Sequence, residues 1–285
     1  MHVAATARRG ARLARGLAVA SHLGPTLVVT ALSVGLLIGL DAAAGSVLLA
    51  GAAVLAGQLS VGWSNDWLDA ERDAAVVRRD KPVVAGLLTR GQLTVAALAA
   101  VVVCAVLSWA TGAVPGTVHL FAVASAWAYN ARLKATAWSW LPYAVSFALL
   151  PVFLVLVVGG MPPAWLWATG ALLGAGAHVA NVLPDLADDA ITGVRGLPHR
   201  IGRRASSVLA PGLLVAAALV VVLRPTGRAG SLQIAMLSLA VMLAVGAGIT
   251  GATRPASRAP FMLSMAVAAV CAVLLVAAGP AVLAP

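Results

Sequence analysis

Nine apolar runs leave this chain few ways to fold. They lie at 17–40, 43–63, 92–113, 116–131, 138–159, 164–183, 205–223, 231–252 and 260–283, with short polar joints between them. A run of about 20 apolar residues spans the hydrocarbon core of a bilayer as a helix. With 61% hydrophobic and only 10% charged residues, the chain lies far from soluble domains, which carry about a quarter of their residues charged. The expected fold is therefore an all-α membrane protein of nine transmembrane helices.

The basic residues test that count. With the N-terminus in the cytoplasm, nine spans put seventeen of the nineteen lysines and arginines on the inner side and leave only Arg224 and Arg228 outside, the asymmetry that sets topology. The net charge of +10 then follows from orientation and from anionic lipid at the inner leaflet, and no nucleic-acid partner is expected. The run at 17–40 is too long for a signal-peptide core and shows no evident cleavage site, so it is expected to be retained. The expected organisation is a basic cytoplasmic segment at 1–16 and a single transmembrane domain at 17–285, with inner acidic loops at 64–91 and 184–204. Such a protein is expected in a bacterial plasma membrane, with both acidic loops cytoplasmic and the C-terminus outside. Cys104 and Cys271 fall within runs and lack CxxC spacing, which suits packing rather than a disulfide or a metal site.

Acidic residues are scarce and unevenly placed. Of nine, five lie at Asp66, Asp69, Glu71, Asp73 and Asp80, and three at Asp185, Asp188 and Asp189; only Asp41 stands apart. Loops that merely needed polarity would carry acids around 112–117, 132–138, 159–163, 224–230 and 253–259 as well, and none does. On a helix Asp66, Asp69 and Asp73 recur at i, i+3, i+7, and Asp185 and Asp189 at i, i+4, so each group lines one face. Carboxylates this close repel unless a cation lies between them, and a hard divalent ion such as Mg2+, carried with a phosphate, suits oxygen donors. Each cluster ends an even-numbered helix on the same side, which suggests a four-helix unit used twice, with a ninth helix added, around a central cavity. Facing each other, the two sets would grip a diphosphate through Mg2+. Arg78, Arg79, Lys81 and Lys134 are candidates to complete the clamp, although positive-inside bias alone would also put them there. Tyr129, beside Lys134, is a candidate phosphate contact or an interface packer. His178 reads as an interior polar group.

These residues also carry a family resemblance. Asn65-Asp66-Trp67-Leu68-Asp69-Ala70-Glu71-Arg72-Asp73 resembles the NDxxDxxxD motif, and Asp185-Leu186-Ala187-Asp188-Asp189 the DxxxD motif, of the UbiA superfamily of intramembrane prenyltransferases. Arg79-Asp80-Lys81-Pro82-Val83-Val84-Ala85-Gly86 is similar to the segment after the first motif, and Gly193-Val194-Arg195 with Ile201-Gly202 to that after the second. Ala190 stands where the family commonly has arginine. The resemblance implies a helical barrel around a lipid-facing cavity. It implies Mg2+ as cofactor, held by Asn65, Asp66, Asp69 and Asp73 on one side and Asp185 and Asp189 on the other. It also implies diphosphate contacts from Lys134, Tyr129 and a loop Arg or Lys, with Arg78, Arg79, Lys81 and Arg195 as candidates. The implied partners are a prenyl diphosphate donor, a hydrophobic acceptor and the bilayer. The implied reaction is transfer of the prenyl group, by ionisation of the allylic C–O bond, to an aromatic or quinone-precursor acceptor. A terpene cyclase on the same site is the alternative. A transporter is less favoured, because its path would need ionisable groups at mid-membrane depth.

Overall fold

The computed structural model describes residues 2–191, 193–224, 229–254 and 257–279, with the side chains of 2–9, 187 and 188 left aside. The expectations for Arg228 and the stretch beyond 279 therefore lie outside the described residues, as do those for the side chains of Asp188, Arg8 and Arg9.

Among the described residues the regular structure is helical: α1 (His2–Ala20), α2 (Leu23–Gly39), α3 (Ala44–Ala75), α4 (Arg90–Ala110), α5 (Ala113–Ala131), α6 (Trp140–Val157), α7 (Ala164–Val182), α8 (Leu186–Ile191), α9 (Leu197–Leu223), α10 (Ser231–Thr253) and α11 (Ala259–Ala278), with one 3-10 turn at Leu133–Ala135. From α2 onward each long helix packs on the next, and α11 returns to α2, so the helices close into a ring. Apolar side chains fill its middle, among them Leu37, Phe153, Leu166, Val221 and Leu274. Cys271 is a free thiol buried in that packing, and Cys104 one buried in a smaller cluster with Ala56 and Val123.

Six of these helices are long and apolar enough to cross a membrane, or seven if α1 and α2 together make one span. Helices α5 and α7 fall in the expected fourth and sixth runs but are not among them. They carry His119 and Asn130, and His178 and Asn181, and the first three of these are buried inside the bundle. Polar groups turned inward lower the apolarity of a helix without exposing it to lipid.

Two boundaries differ from expectation, and a third is met. The first run does not continue through 17–40: the chain bends by 69° between Ala20 and Leu23, and the basic segment before it is already helical as part of α1. The acidic motif, read as helical and continuing past the membrane although counted within the inner segment at 64–91, rides on α3, whose 32 residues measure about 48 Å at 1.5 Å each and so outrun a bilayer core of about 30 Å. Nothing in Ala44–Ala75 interrupts the helix until Val77, at φ 53°. The loop expected at 184–204 contains α8 and the first residues of α9. Gly193 and Gly202, both at φ 81°, make the turn after α8 and the kink that splits α9, conformations open to glycine and strained for other residues.

Candidate functional site

At the end of the ring where α3, α7, α8 and the 3-10 turn meet lies a polar cavity of about 370 Å³. Helix α3 lines it with Asn65, Asp66, Asp69 and Asp73, the last three buried. Pro184 follows the end of α7; Asp185, in the turn there, and Asp189, on α8, enter the same cavity. The two carboxylate groups anticipated from spacing therefore share one hollow. Asp80, Arg72, Arg78, Lys81 and Lys134 complete its charged lining. Six carboxylates face four lysines and arginines there, two positive charges short of neutrality.

The cations are already engaged. Lys81 Nζ donates to Asp66 Oδ1 at 2.7 Å, Lys134 Nζ donates to Asp69 Oδ1, and Arg72 lies 2.6 Å from Asp69 Oδ2. Lys81 is brought over the cavity by the 76–89 loop, where Ala85 N bonds to its carbonyl and Leu87 N to that of Pro82. Burial draws the Lys134 ammonium below its ordinary range, with the Asp69 carboxylate opposing that shift. Arg78 donates to Asp80 at 2.9 Å, which raises the guanidinium and holds the Asp80 carboxyl below its usual value. Burial, then the neighbouring Asp185, push Asp189 up to about 6.

A network of uncharged groups fixes the α3 wall. Asn65 Nδ2 donates to Asn130 Oδ1 at 3.2 Å. Asn130 Nδ2 donates to the Val61 carbonyl and to Ser64 Oγ, both at 2.9 Å. Trp127 Nε1 donates to Ser60 Oγ at 3.2 Å. The end of α5 is thus tied to α3 over the turn and a half that precedes the acids.

Not every candidate reaches the cavity. Arg79 and Arg195 are exposed and are not among its lining residues. Glu71 points outward and pairs with Arg90. Tyr129 packs edge-on against Tyr143 and His178, with ring centres 5.0 and 5.6 Å away. His178 Nε2 is hydrogen-bonded to Ser139 Oγ at 2.9 Å, as befits an interior polar group, while its Nδ1 has no partner. Arg72, Asn181 and His22 line the cavity without having been singled out. For His22 the available signal was one ionisable group inside the first apolar run.

The donor set suits a hard divalent cation. Asp66 Oδ2 and Asp73 Oδ2 are buried and make no hydrogen bond, an arrangement that is unfavourable unless a cation compensates it, and the donors are carboxylate and amide oxygens. Among the described residues no three His, Cys, Asp or Glu side chains converge closely enough to enclose an ion; lysines now hold the innermost carboxylates.

A second, apolar cavity of about 70 Å³ lies deeper, between Leu36 of α2, Phe147 and Leu154 of α6, Leu173 of α7 and Leu275 of α11.

The model of the UbiA prenyltransferase family matches residues 22–270. The chain belongs to the UbiA prenyltransferase family. By class it is therefore a prenyltransferase and an integral membrane protein. Solved structures agree on the fold. A UbiA homologue from Archaeoglobus fulgidus, bound to GPP and Mg2+, superposes with a TM-score of 0.70 at 15% identity over 97% of this chain and 100% of that one. The apo UbiA homologue from Aeropyrum pernix K1 gives 0.68 at 15% identity over 87% and 96%. A digeranylgeranylglyceryl phosphate synthase gives 0.65 at 16% over 93% and 98%. No curated protein matches the sequence significantly.

Proposed function

We propose that the polar cavity binds the diphosphate of an allylic prenyl donor with Mg2+, and that the prenyl group passes to a lipid-soluble, aromatic acceptor. One observation carries this reading: acids from α3 and from the α7–α8 turn line the same hollow, with Lys81 and Lys134 in that lining. The Archaeoglobus fulgidus homologues, bound to Mg2+ with GPP or with DMAPP, support it. Asn65, Asp66, Asp69 and Asp73 would hold the cation from one wall and Asp185 and Asp189 from the other. When bound, Mg2+ supplies positive charge against the negative charge that builds on the leaving diphosphate.

The protein's own groups do the rest. Lys81, Lys134, Arg72 and Arg78 present donors to phosphate oxygens, and burial keeps those interactions strong. The allylic C–O bond breaks with its electron pair staying on the diphosphate. The acceptor's electron-rich carbon bonds to the prenyl cation, and the proton that carbon then loses passes to the released diphosphate. The apolar interior receives the prenyl chain and keeps water from the cation. Nine spans, with the N-terminus and the polar cavity at the cytoplasmic face of a bacterial plasma membrane, are part of the same proposal.

Asp69→Ala and Asp185→Ala test it. Each should leave a folded protein whose Mg2+-dependent transfer falls at least 100-fold, about 3 kcal/mol in the barrier, with product read by mass spectrometry from several prenyl diphosphates and quinone precursors. Retention of most activity in either variant removes that aspartate from the cation site. A cyclic hydrocarbon formed from the donor alone replaces transfer with cyclisation.

A further inference from the structure

The elbow between α1 and α2 adds a residue to the cavity that neither aspartate motif contains. His22 occupies it with φ 50° and ψ 56°. Histidine enters this left-handed region more readily than most residues, but the conformation stays strained relative to glycine and lasts only where the surroundings impose it. Three contacts impose it here. A Cβ on Gly62 would sit 3.0 Å from the Ala20 carbonyl oxygen, so α3 lies close against the elbow backbone. Trp63 Nε1 donates to the Leu17 carbonyl at 2.9 Å, and Thr26 Oγ1 donates to the Ser21 carbonyl at 2.6 Å.

Pinned about one turn before Asp66, the elbow sets His22 Nε2 3.3 Å from Asp66 Oδ1. The same oxygen receives Lys81, while Asp66 Oδ2 is buried without a partner. Two donors from separate parts of the chain thus converge on one oxygen and leave the other unused.

We propose that His22 is a positioning residue for Asp66: by holding Oδ1 beside Lys81, it keeps the carboxylate from rotating and reserves Oδ2 for the divalent cation. This rests on the reading of Asp66 as a cation ligand. Partners that orient a ligand in this way change metal affinity by about 10–100-fold when removed. The N-terminal helix pair therefore contributes to the site through one side chain.

The test reads cation binding without turnover: Mn2+ taken up by the full chain in detergent, followed by loss of the free-ion EPR signal. His22→Gly removes the imidazole and relaxes the left-handed elbow. It should melt at or above the wild-type temperature yet bind Mn2+ about tenfold more weakly. His22→Asn also tolerates that backbone and is too short to reach Asp66, so it should behave alike and serves if the glycine variant does not fold. His22→Gln, with an N–H donor of similar reach, should recover most of the affinity, and Asp66→Asn should lose binding. Wild-type affinity in folded His22→Gly or His22→Asn overturns the positioning role and leaves Asp66 as a ligand. A loss that His22→Gln does not recover marks the imidazole as packing and overturns it too. Failure of the wild-type chain to bind Mn2+ overturns the cation site itself, and this inference with it.

Discussion

Asp189 and Lys134 carry charge in surroundings that oppose it, which suits a cavity made to receive ions. The Asp189 carboxyl, ordinarily near 3.8, titrates at about 6 in the folded chain because it is buried beside Asp185. Between about pH 4 and 6 the folded protein keeps a proton that the unfolded chain has released, so this group's contribution to stability falls as pH rises through that window. Asp189→Asn should therefore raise the melting temperature of the cation-free protein at pH 7.5, leave it nearly unchanged at pH 4, and abolish most transfer. Thermal unfolding at the two pH values, beside an activity assay, checks this; equal melting temperatures at pH 7.5 would show that burial does not oppose the charge. Spacing alone marked Asp66, Asp69, Asp73, Asp185 and Asp189 as a group, because acids are so rare here. Positive-inside bias accounts for Lys81 and Lys134, which meet carboxylates, as well as for Arg79, which does not line the cavity; the rarity of lysine beside seventeen arginines favours the first two, and packing shows that they reach the acids.

Helices α6 and α7 show how small residues set the distance between the two halves of the site. A Cβ at Gly170 would lie 2.3 Å from the Phe147 carbonyl oxygen, and one at Gly174 2.2 Å from that of Tyr143, so these glycines let the two backbones touch. Helix α6 follows the turn that carries Lys134, and α7 leads to Asp185. Gly174→Ala should accordingly lower stability by about 3 kcal/mol and reduce activity along with it. Gly45→Ala, where nothing lies within 4 Å of the added carbon, should be neutral or slightly stabilising. Melting curves in one detergent compare them, and a neutral Gly174→Ala would mean the two helices can separate without loss. Element positions were legible because lipid demands long apolar runs. The expected run passes over the break at Ser21–His22, although Ser21, His22 and the Gly24-Pro25 pair interrupt it there; the angle of the break is imposed by contacts with Gly62, Trp63 and Thr26.

The closed ring puts charge at one end and apolar packing through its middle, an arrangement that suits a donor with a diphosphate head and a hydrocarbon tail. Its orientation in the membrane is open to direct measurement. Met161, in the turn between α6 and α7, is 85% exposed and follows the end of α6 remote from Lys134, whereas Ala85 is exposed on the loop that carries Lys81. With the cavity on the cytoplasmic side, Met161→Cys should react with a membrane-impermeant thiol reagent in intact cells, and Ala85→Cys only after permeabilisation. The native Cys104 and Cys271 are buried and should stay silent. The reverse pattern would turn the protein over in the membrane.

From residue order alone came the helical membrane fold, the places of the long helices and the family, because bilayer thickness imposes a length on each run and the two aspartate motifs are too rare in so apolar a chain to arise from loop polarity. Packing in three dimensions settled which charges meet. Lys81 and Lys134 reach Asp66 and Asp69 across 15 and 65 residues, Tyr129 joins an aromatic cluster with Tyr143 and His178, and His22 arrives from an elbow 44 residues before its partner. Helical periodicity describes neighbours three or four positions apart; contacts between separate helices depend on how the ring closes, and no local pattern encodes that.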